Sequence, residues 1–376
     1  MTDKGGLRRV KALIIKEFFQ IIRDPSSILI SILLPLVLLF LYGFGVSLDL
    51  NHLRLGLVLE ENTVDAVSFA ESLSNSPFFE VRRGSDRREL EDLILAGKIR
   101  GIVVVPSYFS AFKKRQDNIA PIQVIADGSE PNTAAFVQNY VLGAWGKWLL
   151  QEKINQNLRG LPLVSVQPRF WYNEELVSRN FLVPGSLAII MTLIGTLLTA
   201  LVVAREWERG TMEALMATPV RIYELLIGKL IPYFLLGMFS MTMCVMVAVF
   251  IYSVPLRGSF WLLGLVSSAF LFTATLLGLL ISTLSRNQFV AAQASIVTGF
   301  LPAFILSGFI FEISSMPLPI QFVTYVIPAR YFVSCLQTLF LVGNVWPLVL
   351  SNTMYILTFG LILLVITAYN TVKRLD

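Results

Sequence analysis

The sequence predicts an α-helical polytopic membrane protein with six transmembrane helices and an α/β domain inserted after the first of them. Three observations carry this fold class. Only 15% of the 376 residues are charged, against roughly 25% in average soluble domains, and the mean hydropathy is +0.70. Charge-free runs longer than a bilayer crossing recur along the chain. After the first run comes a near-neutral segment, 49–179, in which short β-branched runs alternate with amphipathic stretches.

The elements follow in order. Residues 1–25 form a basic N-terminus in which Arg8–Arg23 places Val10, Ile14, Phe18, Ile21 and Ile22 on one helical stripe. Arg9, Lys16, Gln20 and Arg23 occupy the other side, so this helix suits an interface with anionic lipid headgroups; an extension of the first span is the simpler alternative. Asp24-Pro25 turns the chain into the first transmembrane helix, 26–48. Further charge-free runs cover Asn180–Ala204, Leu230–Leu256, Gly258–Ser285 and Asn287–Phe311, each longer than the roughly 20 residues a helix needs to cross the hydrocarbon. Pro35, Pro232 and Pro302 lie inside such runs, where neighbouring groups can satisfy the freed carbonyls. Tyr331–Val372 is also charge-free, but Gly343, Asn344 and Pro347 break it and leave a first piece too short to cross. We read about 313–345 as an extracytoplasmic re-entrant hairpin and 346–370 as the sixth span. Helices two to six thus occupy 180–376.

Basic residues sort with this topology. Thirteen lie in the segments assigned inside, from Lys4 to Arg374, and only Arg257 and Arg330 in the short outside loops. That is the positive-inside pattern, with both termini cytoplasmic and the chain multi-pass. The same sorting argues against nucleic acid, which needs one basic face. The N-terminal apolar stretch is too long for a cleavable signal peptide, and no small-residue cleavage site follows it. Cys244 and Cys335 sit in apolar runs and His52 is the only histidine, which excludes a disulfide framework and a His- or Cys-based metal or catalytic centre.

Within 49–179, Leu53–Leu59, Gly101–Val105 and Pro121–Ala126 read as buried strands. Val64–Leu73 and Ser85–Leu95 read as amphipathic helices, 132–158 as a longer helix and Val164–Tyr172 as a closing strand. A domain of this size can bury its own core, and its role divides between a docking surface and a lid. His52, beside Asp49 and Asn51, reads as a juxtamembrane polar residue.

The cytoplasmic segment at about 205–222 holds the densest chemistry. Arg205, Glu206, Glu208 and Arg209 precede Gly210; Thr211 suits an N-cap; Met212, Leu215 and Met216 form an apolar face that Pro219 ends. A short helix, apolar on one side and charged on the other, suits docking into a partner's groove, although spacing alone allows an ordinary charged connector.

With these residues in view, the chain resembles the ABC-2-type transporter permeases, in particular the bacterial YbhS/YbhR-like multidrug-efflux branch. The matching stretches are KEFFQIIRDPSS (16–27), KIRGIVVVP (98–106), DGSEPNTA (127–134) and VVAREWERGTMEAL (202–215). LISTLSRNQF (280–289), LSGFIFEISSMP (306–317) and VIPARYFV (326–333) extend the resemblance almost to the C-terminus. It implies an ABC-2, type V exporter-like fold and an ATPase-coupling role for Arg205, Glu206, Glu208, Gly210, Thr211, Glu213, Leu215 and Pro219. By the same resemblance Arg9, Lys16, Glu17 and Arg23 belong to the interfacial helix, and Glu312, Pro328, Arg330 and Tyr331 shape the outer mouth. It also implies separate ATP-binding cassette subunits and a second permease, identical or paralogous. The resemblance to Gram-negative efflux systems further implies a periplasmic membrane-fusion adaptor and an outer-membrane channel.

Three Gly-Lys pairs, at 97–98, 146–147 and 228–229, lack the upstream glycine and following Ser/Thr of a phosphate-cradling loop. The expectation is a transport subunit that binds no cofactor itself, with ATP and Mg held by the partner ATPase. Its cargo would be drugs or other lipophilic or amphipathic compounds, and Phe304, Phe309 and Phe311 are candidates for the path. The competing classes are an ion-gradient-driven secondary transporter, which usually needs ionisable groups within the bilayer, and a ligand sensor built on 49–179.

Overall fold

In the computed structural model, residues 4–45, 53–76, 78–114, 122–128, 131–155, 172–173 and 177–371 are described. In chain order the elements are α1 (Lys4–Arg23), α2 (Pro25–Gly45), β1 (Leu53–Leu59), α3 (Val64–Ser74), β2 (Phe79–Gly84), α4 (Arg87–Leu95), β3 (Gly101–Val105), α5 (Phe109–Lys114), β4 (Gln123–Ala126) and α6 (Pro131–Asn155). They continue with α7 (Ser178–Glu208), α8 (Thr211–Met216), α9 (Ile222–Ile251), α10 (Phe260–Ser285), α11 (Gln288–Leu306), α12 (Leu318–Thr324), α13 (Pro328–Val342) and α14 (Trp346–Asn370). Packing divides the chain into two compact units, Met1–Ser47 with Phe170–Asp376, and Leu48–Arg169.

In the first unit, α2, α7, α9, α10, α11 and α14 are long and apolar enough to cross a membrane. The region expected to form a hairpin holds α12 and α13, bent by 82° at the break between them. Helix α7 is the most buried of the six and packs along α10. Small residues permit this approach: a Cβ on Gly278 would lie 2.1 Å from Thr199 Oγ1 and 2.2 Å from Thr196 O. In lipid, where apolar burial no longer distinguishes helix from solvent, such close contact and interhelical hydrogen bonds replace the hydrophobic drive. Thr199 Oγ1 accordingly reaches Thr275 O at 2.9 Å, and Thr273 Oγ1 reaches Ile356 O of α14 at 2.9 Å. Against the α7–α10 pair α13 is held by Phe332, whose ring stacks on Phe270 at 4.0 Å.

The second unit is built on a four-stranded sheet of order β2-β1-β3-β4, parallel except for the antiparallel β3–β4 pair. Strands β1 and β3 and helices α3 and α4 fall where the hydrophobic pattern puts them. Strand β2 escapes that pattern because FEVRRG alternates with charges, which suits its place at the sheet edge. One face of the sheet packs on Phe69, Phe109 and Trp148, the other on Leu90 and Ile99. His52 and the expected closing strand, apart from Tyr172, lie outside the described residues.

Candidate functional site

At one end of the membrane unit, three helices meet in a knot of charges. The sequence prepares it by placing single ionisable residues inside apolar helical faces: Glu17 in α1, Glu206 at the end of α7, Glu224 and Lys229 in the first turns of α9. All four are buried, with Glu17 1%, Glu206 3%, Glu224 1% and Lys229 2% exposed. Charges this buried must be matched, and they are. Lys229 Nζ lies 3.1 Å from Glu17 Oε1 and 3.5 Å from Glu206 Oε1, and Lys16 donates to Glu206 and lies 3.4 Å from Glu17 Oε1. Partial burial of Lys16 works against its charge, but the hydrogen bond to Glu206 and the Glu17 carboxylate outweigh it and raise its pKa.

Two further pairs frame this knot. Arg9 grips Glu224 bidentately, Nε to Oε2 at 2.9 Å and Nη2 to Oε1 at 2.7 Å. Arg205 donates from Nη1 to Asp24 Oδ2 at 2.8 Å, while Asp24 caps the start of α2 by accepting from Ser26 and Ser27. Burial opposes ionisation of Asp24, yet the bonds from Ser27 and Ser26 and the Arg205 guanidinium hold its pKa at about 2. Helix α1 approaches α9 at Gly228, where a Cβ would lie 2.7 Å from Leu13 Cβ.

Helix α8 sits against this knot. Gly210 takes a left-handed backbone, φ 69°, which glycine adopts without steric cost. The chain therefore leaves α7 and enters α8 through a single left-handed residue. Gly210, rather than Thr211, is the N-cap; Thr211 instead donates its hydroxyl to the buried Glu206 carboxylate. Met212 anchors the inner face of α8 among Val203, Leu225, Leu226 and Leu279. The outer face exposes Glu208, Arg209, Gly210, Glu213, Ala214 and Pro219. Glu208 is further tied to Gln288 at the start of α11, accepting from its backbone N–H at 2.8 Å, and Arg286 lies 4.8 Å over the Trp207 ring.

The structure therefore separates the residues expected at 205–222. Arg205 and Glu206 belong to the last turns of α7 and point inward, bonded to α1, α2 and α9. Leu215 is half-buried, and Glu208, Gly210, Thr211, Glu213 and Pro219 present the surface. On α1, Arg9, Lys16 and Glu17 form the internal pairs just given, whereas Arg23 is exposed. Of the expected apolar stripe, Ile21 is buried, but Phe18 and Ile22 face outward with Leu7, Ile15 and Phe19. This helix has two apolar sides, one for α9 and one that is exposed among the described residues. Asp24, Glu224 and Lys229 were not among the expected site residues; the signal of Glu224 and Lys229 is a charge set in an apolar helical run, and that of Asp24 is a capping Asp-Pro-Ser-Ser at a helix start.

At the hairpin, Pro328 opens α13, Arg330 donates to Thr324 and lies 4.1 Å over the Tyr325 ring, and Tyr331 donates to Tyr325 O at 2.9 Å while stacking on Tyr355. Glu312 lies apart and exposed, accepting from Ser314. Beside the hairpin is a cavity of about 400 Å³, lined by Thr192 and Thr196 of α7, Thr273 of α10, Thr298 of α11, Ile327 and Phe359 among others. Phe304, Phe309 and Phe311 do not line it; Phe309 is buried against Gly185, and Phe304 stacks on Phe300.

The described residues thus combine six helices long and apolar enough to cross a membrane with an exposed knuckle that rests on buried ion pairs. Comparison with known proteins identifies the family. The model of the ABC-2 family transporter proteins matches residues 25–369. The chain belongs to the ABC-2 transporter family. It is 50% identical over 369 residues to the probable multidrug ABC transporter permease YbhS of Escherichia coli K12, covering 98% of both chains. It is 28% identical to the probable multidrug ABC transporter permease YbhR of the same organism, across 90% of this chain and 94% of that one. The inner membrane transport permease YhhJ of E. coli K12 is 27% identical over 69% of this chain and 70% of its own length. In this ABC-2 protein the shared region takes in all six candidate spans.

Proposed function

We propose that the chain is the membrane permease subunit of an ATP-driven exporter, moving drugs or other amphipathic compounds outward across a bacterial inner membrane. Two such permeases would enclose the path, and a separate ATPase would dock on the outer face of α8. The termini and α8 are then cytoplasmic, and the Leu48–Arg169 unit and the α12–α13 hairpin extracytoplasmic, an orientation that the distribution of basic residues supports.

One observation supports the coupling role above all. The exposed α8 knuckle is bonded through Thr211 to Glu206, and Glu206 is bonded to Lys16 of α1 and lies within ion-pair distance of Lys229 of α9. A push on α8 is thereby delivered to three helices together. Rigid-body displacement of packed helices by a moving partner is an established way to bias a two-state transporter. The α10–α11–hairpin cavity, apolar with a few threonine hydroxyls, has the character of a site for amphipathic cargo.

The test is to purify the tagged protein from its host and follow the bound ATPase. Glu213→Arg, on the exposed face, should leave membrane insertion and thermal unfolding unchanged while reducing ATPase recovery and drug export together. Normal recovery and export by that variant would refute docking at α8.

A further inference from the structure

The Leu48–Arg169 unit carries a groove that the transport reading leaves unused. Its walls are one face of α3, with Ser68, Glu71, Ser72 and Asn75, and one face of α6, with Tyr140, Gly143, Ala144, Lys147 and Gln151. Both sets follow the three- and four-residue spacing that aligns side chains along one side of a helix. The hollow exists because α6 turns its smallest residues toward α3: a Cβ built on Gly143 meets nothing within 4 Å.

Its volume is about 610 Å³, in the range of pockets that enclose drug-sized molecules. The lining combines flat rings with hydrogen-bonding groups. Tyr140 lies 5.5 Å from Phe78 and 6.3 Å from Phe79 between ring centroids. Trp148 is buried, and its indole N–H donates to Ser68 Oγ at 3.1 Å, which fixes the ring. At the surface stand one carboxylate, Glu71, and one ammonium, Lys147. Neither takes part in an ion pair among the described residues.

We infer that this groove binds a flat aromatic small molecule bearing both a cationic and an anionic group. The rings lie along Tyr140, Phe78 and Trp148, the cation meets Glu71, and the anion meets Lys147. The inference goes beyond the transport reading and is independent of it, because binding is measured with no ATPase present.

The probe is norfloxacin, a fluorescent bicyclic aromatic with a carboxylate and a secondary ammonium, titrated against the full-length protein in lipid nanodiscs with empty nanodiscs as the blank. Saturable binding is expected with a dissociation constant on the order of 10 μM. Gly143→Leu puts a side chain into the hollow, where its Cβ meets nothing within 4 Å, and should weaken binding by about tenfold or more. The double variant Glu71→Gln/Lys147→Gln changes two exposed side chains that hold no structural pair, and should weaken it roughly five- to tenfold. Unchanged circular dichroism and thermal unfolding confirm that each variant is folded, and the double variant keeps the test decisive if Gly143→Leu unfolds. Absence of saturable binding, or equal affinity of the native protein and the folded variants, overturns the proposal.

Discussion

Lys229 shows how one residue can hold an architecture that composition does not announce. It sits two turns into an apolar helix with Glu17 on one side and Glu206 on the other, and all three are excluded from water. Removing the ammonium strands two buried carboxylates on Lys16 alone. Lys229→Met should therefore destabilise the membrane unit by about 3–5 kcal/mol, read as a lowered unfolding midpoint in mild detergent. The triple change Glu17→Gln/Glu206→Gln/Lys229→Met should cost less than the sum of its parts, because the groups act as a unit. Asp24 gives a pH signature. Its pKa is depressed to about 2 in the folded chain, against roughly 3.9 in an unfolded one. The stabilisation is thus fully present above about pH 4 and is lost as pH falls toward 2. Thermal unfolding followed from pH 5 to pH 2 should show a steeper loss for the native chain than for Asp24→Asn.

At the scale of elements, close approach is set by glycines. Gly228 lets α1 lie on α9, and Gly278 lets α10 lie on α7. A valine at 228 would place its Cβ 2.7 Å from Leu13 Cβ and should lift α1 away, taking Lys16 and Glu17 from their partners. Limited proteolysis would report this as faster cleavage within 4–23. Much of the element pattern was legible in the sequence. Runs of 24 to 28 uncharged residues are long enough for crossings, and the short β-branched runs LRLGLVL and GIVVV form strands as their composition suggests. Strand β2 was hidden because an edge strand tolerates the charges of Glu80, Arg82 and Arg83. The inward turn of Arg205 and Glu206 was hidden as well. A cluster of acids and bases next to an apolar run looks solvated until the fold brings Lys16, Asp24 and Lys229 against it, and those partners lie up to 190 residues away in sequence. The candidate surface was legible where it depends on local chemistry, at Gly210 and Glu213, and illegible where it depends on long-range pairing.

For the molecule as a whole, the proposed coupling is mechanical: the exposed face of α8 would receive the ATPase, and the Thr211–Glu206 bond would convey its movement through Lys16 and Lys229 to α1, α7 and α9. Docking and transmission are separable, since Glu213 is on the surface and the Thr211 hydroxyl is aimed inward. The most direct measurement is the ratio of drug transported to ATP hydrolysed, in proteoliposomes containing the permease and its co-purified ATPase. Thr211→Val should keep ATPase binding and hydrolysis but reduce transport per ATP by about tenfold or more, the scale of one lost hydrogen bond to a buried carboxylate, with Thr211→Ser restoring it. An unchanged ratio in folded Thr211→Val would contradict transmission through this network.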